Sequence, residues 1–335
     1  MTASNPTDRE LDDLADSLAP FSQRMVLTGA GFPKPWGGYL AAELWSAIVS
    51  NPALRSAPET DRVLHDNPNF EDALAIVQAD PATFGPENGE KILWKAIMDA
   101  FGLMDRRLTS WRLSDRHTVV GNLLREVTAA AAGSTTCFFT LNQDVFLERT
   151  IQQCDPTLPW LVVPQGGPAL APGVLSGDPS KVTVPPFAPA EFAAIKDRPS
   201  YVKLHGSMNW REHDGTDVVV LGGAKTESIK RFPILRMNHA IFRRALKGKD
   251  ARLLIIGYGF GDDHINEAIA QAVAAKNGFA IWIVDPRSTA DLRRTWSTRG
   301  AVWHSVSGHS ASLMDLFGTS APDREMFRER FWIAP

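Results

Sequence analysis

The chain has 335 residues, 44% of them hydrophobic and 22% charged, with a formal net charge of −3. Such a composition provides ample core for one or two soluble domains, and the small net charge excludes a general attraction to nucleic acid or anionic membrane. Two cysteines, Cys137 and Cys154, are too few for a disulfide framework or a four-cysteine zinc site.

Residues Met1 to Leu18 are polar and acidic, without a basic segment followed by an apolar run, and no stretch approaches the roughly 18 apolar residues that span a bilayer. A cytoplasmic protein with reduced thiols is expected, with no membrane contact and no direct nucleic-acid contact.

Glu10 to Ala19 places Leu11, Leu14 and Leu18 on one side of a short helix that Pro20 ends, a cap or an assembly arm. Arg24 to Thr28 is a first strand running into Gly29-Ala30-Gly31, a tight turn that continues as a loop to Gly38 before a helix over Tyr39 to Ser50. Glycines let backbone approach a pyrophosphate, and a helix N-terminus favours its charge. Asn51 to Ala132 is mainly helical: Phe70 to Gln78, Gly89 to Phe101 and Asp115 to Ala132, broken at Asp80-Pro81 and Gly85-Pro86. It has the size of a helical subdomain that roofs a crevice or forms an oligomer interface.

Cys137 to Thr140 is another strand, ending in the polar groups Asn142 and Asp144, with a helix over Val145 to Gln153 that carries Phe146, Leu147 and Ile151 inward. Asp144 alone equally suits the cap of that helix, and Asn142 a bond to a neighbouring loop. Asp155 to Pro199 holds 10 of the 23 prolines and reads as a flap over a site or an irregular surface traverse. The run Tyr201 to Leu204 ends at His205, with Gly206-Ser207 stopping the strand, which puts an imidazole at the sheet edge where open α/β sheets hold ligands. His213, Asp214 and His239 lack the tight spacing of metal ligands.

Asp217 to Leu221 is a short strand, and Asn238 to Leu246 a helix with basic residues Arg243, Arg244, Lys247 and Lys249. Arg252 to Ile256 is a buried parallel strand by its unbroken apolar run. It feeds Gly257-Tyr258-Gly259-Phe260-Gly261 and a helix over Asp263 to Ala274 capped by Asp262, with His264 a surface or capping residue. Ala280 to Val284 is a strand with Asp285 at its end, where an acid accepts from adenosine ribose hydroxyls or simply makes the turn before Pro286. Val302 to His304 and Phe327 to Trp332 complete the sheet edge and its covering helix. The fold expected is α/β, a Rossmann-like, mostly parallel sheet built from 22–50 and 133–320 with a helical insertion over 51–132, the whole forming one catalytic unit.

Three motifs in this order, Thr28-Gly29-Ala30-Gly31, Thr140-x-Asn142-x-Asp144 and Leu204-His205-Gly206-Ser207, resemble the sirtuin family. Asn209-Trp210 and Ile256-Gly257-Tyr258-Gly259-Phe260 look more like its bacterial branch, which hydrolyses NAD in antiphage defence. The resemblance implies NAD as substrate rather than resident cofactor, gripped by Gly29, Ala30, Gly31, Phe32, Gly257 and Gly259, with Asp285 on the adenosine ribose. It implies that Asn142 positions the ribose or the attacking water, that Asp144 holds ribose hydroxyls or stabilises positive charge, and that His205 is the base. Three departures stand out. Pro33 occupies the place of a serine, Leu141 and Gln143 replace the usual Gln and Ile, and the interval from His205 to Gly257 holds none of the zinc-ribbon cysteines. No metal is therefore expected, and an NAD hydrolase is favoured over a protein deacylase or a noncatalytic NAD or ADP-ribose sensor. By the same resemblance the chain assembles as a homo-oligomer or on a HerA-type ATPase.

Overall fold

Apolar runs too short for helices form the centre of the molecule. In the computed structural model, whose described residues are 7–17, 24–110, 113–129, 136–154, 181–184, 200–223, 225–275, 277–295 and 297–332, the strands are β1 (Arg24–Thr28), β2 (Thr136–Thr140), β3 (Val182–Thr183), β4 (Ser200–Lys203), β5 (Gly206–Arg211), β6 (Asp217–Val219), β7 (Arg252–Ile256), β8 (Ala280–Val284) and β9 (Val306–Ser310). Six of them make one sheet in the order β4-β2-β1-β7-β8-β9, every pair parallel. Counted within the sheet this is the 3-2-1-4-5-6 order of a doubly wound Rossmann fold, and its direction reverses between β1 and β7.

Both faces of the sheet are buried, which is why its strands read as continuous apolar runs. Alternation still sorts them: Val26, Phe138, Leu254 and Trp282 pack toward the helices of residues 41–129 and the C-terminal turns, whereas Met25, Leu27, Phe139, Leu253 and Ile283 pack toward Pro233–Leu246 and Asp263–Ala274. The helix Asp8–Ser17 lies against Pro233–Leu246, with Leu11 buried and Arg243 paired to Asp12. Cys137 is a core residue.

Several elements depart from expectation. The strand before His205 ends as expected, but Gly206 then turns the chain, at φ +75°, straight into β5 of a small second sheet with β3 and β6. A Cβ there would stand 2.0 Å from the Val218 carbonyl oxygen, so only glycine makes the corner after His205. Val302-Trp303-His304 lies in a 3-10 segment, Ser297–Ser305, with Trp303 packed on Phe260, and the edge strand is β9. The helix expected from Asn238 begins at Pro233, proline being suited to a first helical turn, and the region 51–132, expected to be mainly helical, holds a further helix at Pro58–Asp66. The proline-rich stretch lies outside the described residues apart from 181–184, as do Leu18 and Trp111.

Candidate functional site

At the point where strand order reverses, the loops after β1 and β7 interlock. Gly29 N–H donates to the Ile256 carbonyl at 3.0 Å and Gly31 N–H to the Gly257 carbonyl at 2.9 Å. A Cβ on Gly31 would lie 2.7 Å from the Gly257 Cα, and one on Gly257 2.4 Å from the Gly31 carbonyl carbon. Gly29, Gly31 and Gly257 are thus small because backbone meets backbone. Gly259 has open space around it and, with Gly29, Ala30, Pro33 and Gly261, lines a cavity of about 390 Å³ beyond the strand ends. Phe32 is core instead, edge-on to Trp36 and Phe146. Asp285 is also buried, with both carboxylate oxygens taken by Arg287 at 2.8 Å, and lies outside the cavity lining.

Leaving β2, Thr140 Oγ1 accepts from the Asn142 N–H at 3.1 Å, and Asn142 Nδ2 donates to the Gly29 carbonyl at 3.0 Å. The asparagine therefore bridges the first two motifs. Asp144 Oδ1 accepts from the Phe146 N–H at 2.9 Å, capping the helix Phe146–Cys154. Both bland expectations for these residues are met, and both residues also line the cavity. Burial pushes the Asp144 carboxyl up to about 6, against the pull of the Lys203 ammonium.

Beneath Asp144 lies a charged network. Lys203 Nζ donates to the Asp144 backbone carbonyl and, at 2.9 Å, to Glu148 Oε1, while the Tyr201 hydroxyl donates to Glu148 Oε2 at 3.1 Å. Beside it Arg149 grips Asp105 through two bonds of 2.9 and 2.7 Å, with both side chains fully buried. Every charge in the network has a partner, as burial requires.

Two residues past β4, His205 also faces the cavity, at 2% exposure. The helix Pro233–Leu246 fixes its approach: Asn238 Nδ2 donates to the Lys203 carbonyl at 2.8 Å and His239 Nε2 to the Leu204 carbonyl at 2.9 Å. His264, on the first turn of Asp263–Ala274, is half-buried rather than a surface residue alone; its Nε2 stands 3.0 Å from His205 Nε2. The three imidazoles cluster with ring centroids 5.2 to 6.3 Å apart. Burial lowers all three pKa values, that of His205 to about 3. His205 is accordingly uncharged at neutral pH, not a base tuned to it as its type alone suggests.

The far wall comes from residues 39–104: Tyr39, Leu40, Phe70, Glu71, Phe101 and Met104. Lys225 crosses to it, bonded to Glu71 at 2.9 Å and Asp262 at 2.7 Å. Asp262 stands at the N-cap position as expected, but its side chain makes no cap bond and serves Lys225. Among the described residues no helix is long and apolar enough to cross a membrane.

Sequence reasoning had no signal for His239, His264 or the Lys203–Glu148 pair. They come from separate elements, and only folding makes them neighbours. A family model described as a SIR2-like domain matches residues 136–304, half of the chain, a span that contains Asn142, Asp144, His205 and the other two histidines. No curated protein matches the chain.

Proposed function

This chain belongs to the SIR2-like domain family, whose members are NAD-dependent enzymes, and from that premise we propose that it hydrolyses NAD at the nicotinamide–ribose bond. The products are nicotinamide, ADP-ribose and a proton released to solvent. One observation carries the reading: Asn142, Asp144 and His205 line the same cavity as Ala30 and Gly259, on the carboxyl side of the sheet at its reversal point.

Nicotinamide is bonded to the ribose as a positively charged pyridinium and leaves neutral, so bond cleavage needs no general acid and passes the charge to the ribose as an oxocarbenium-like cation. Asp144, ionised above about 6, stabilises that cation or accepts from the ribose hydroxyls. Asn142 is held through Nδ2 by Gly29, which leaves its amide oxygen to orient a water. A buried neutral His205 accepts from the same water. Weak basicity suffices, because water attacking a cation needs alignment more than ionisation.

Nicotinamide release by the purified chain, by its oligomer fractions and with an acetylated peptide added tests the proposal. Release without peptide, abolished in Asn142→Ala and His205→Ala, supports it. Release only with peptide makes the chain a deacylase, and no release in any fraction overturns the reading. The cellular role proposed with it, NAD depletion in antiphage defence by a homo-oligomer or by an assembly on a HerA-type ATPase, rests on the bacterial branch that the motifs resemble. Co-purification with the product of the neighbouring gene tests that role.

A further inference from the structure

The hydrolysis uses one imidazole, His205, and two more, His239 and His264, cluster around it. His205 follows β4, His239 lies within Pro233–Leu246 and His264 begins Asp263–Ala274, and each offers a ring nitrogen within 4.8 Å of the others. A carbonyl only accepts, so the His239 Nε2 facing the Leu204 oxygen carries the proton and its Nδ1 keeps a lone pair. A ring nitrogen donating to a backbone carbonyl is how metal-binding histidines are commonly oriented. Between His205 and His264 a single proton is shared at 3.0 Å, where a cation would replace it.

We propose that His205, His239 and His264 form a binding site for a divalent transition metal of the zinc class, with the fourth position open to the cavity through His205. Bonds of about 2.0–2.1 Å from zinc to nitrogen put the ligand atoms of a tetrahedral site about 3.3 Å apart. The His205–His264 pair, at 3.0 Å, is close to that separation, and His239 offers a ring nitrogen within 4.8 Å of both. The surrounding charge is balanced toward a cation: Asp262 and Asp263 act on the cluster, opposed by Lys225, which is itself neutralised by Asp262 and Glu71. Three nitrogens with no thiolate or carboxylate favour zinc, cobalt, nickel or copper over magnesium and calcium. The site stands apart from the NAD reading, though a bound metal takes the His205 lone pair that the hydrolysis uses.

The test is Co²⁺ uptake by the tag-free full chain after chelator treatment and dialysis, followed by metal-to-protein ratio and visible absorption. One Co²⁺ per chain is expected, with the bands of a nitrogen-ligated four- or five-coordinate ion, displaced by Zn²⁺. Uptake should weaken at least tenfold in His264→Ala and His239→Ala and persist in His213→Ala, whose side chain is exposed. His264 is only half-buried at a helix start, so its variant keeps the core intact and decides the matter even where the His239 variant fails to fold. No stoichiometric uptake by the parent, or uptake unchanged in His264→Ala, overturns the site. Where nicotinamide release is measured, Zn²⁺ should lower it and chelator restore it.

Discussion

The two sides of the cavity floor handle buried polarity in opposite ways. Under Asp144 the chain buries full charges, Lys203 against Glu148 and Arg149 against Asp105, each with its counterion in hydrogen-bond contact. Under His205 it buries three titratable rings and keeps them uncharged. Burial outweighs the pull of Asp262 on the imidazoles, which stay uncharged, while an ammonium in direct contact with a carboxylate keeps its proton. The same sheet edge therefore presents a carboxylate that ionises near neutral pH next to a ring that never protonates there.

Breaking the charged side should cost most. Lys203→Met leaves Glu148 buried without its cation and is expected to lose about 3–5 kcal/mol in denaturant unfolding. Removing the carboxylate charge above it should do the reverse. Asp144 has a folded pKa of about 6 against an ordinary 3.8, so above that range it is charged in both folded and unfolded chains and its burial subtracts stability. Below the ordinary range it is neutral in both and subtracts none. Asp144→Asn, which retains an acceptor for the Phe146 N–H, should gain on the order of 1–3 kcal/mol at pH 8 and almost nothing at pH 4, while losing catalysis. Nicotinamide release by the parent should rise with pH through about 6 for the same reason.

On the neutral side the effects shrink. His239→Leu removes no charge and orphans only the Leu204 carbonyl, so about 1–2 kcal/mol is the expected loss. A loss as large as that of Lys203→Met would mean that the histidine side carries charge after all. The smallest effect sharpens the contrast most: the His205 ring signals in an NMR titration should stay put from pH 8 to 5, and movement near the ordinary midpoint of 6.5 would abolish it.

Strands β7 and β8 and the helix Asp263–Ala274 were legible to the residue, and β1 in its start, because each is an unbroken apolar run or periodic segment bounded by glycine or aspartate. The ends of β1, β2 and β4 were legible as a site because ordered motifs mark them. What escaped reading was whatever depends on several elements at once. Glycine after His205 reads as a stop whether the chain leaves the sheet or turns into another, as it does at β5. Lys203, Glu148 and Arg149 look like ordinary surface charges until the Asp105 helix covers them. His239 and His264 sit far apart in a helix interior and a helix start, so no spacing rule joins them.

The crossed glycines of the two loops have a mechanical consequence. With backbone so closely opposed at Gly29, Gly31 and Gly257, neither loop slides without displacing the other, and together they are a fixed jaw. Any widening that admits a bulkier guest falls to the lip opposite, formed by Tyr39, Leu40, Phe70 and Met104. Selectivity for what enters can thus drift through that lip alone, with the strands behind the jaw left undisturbed.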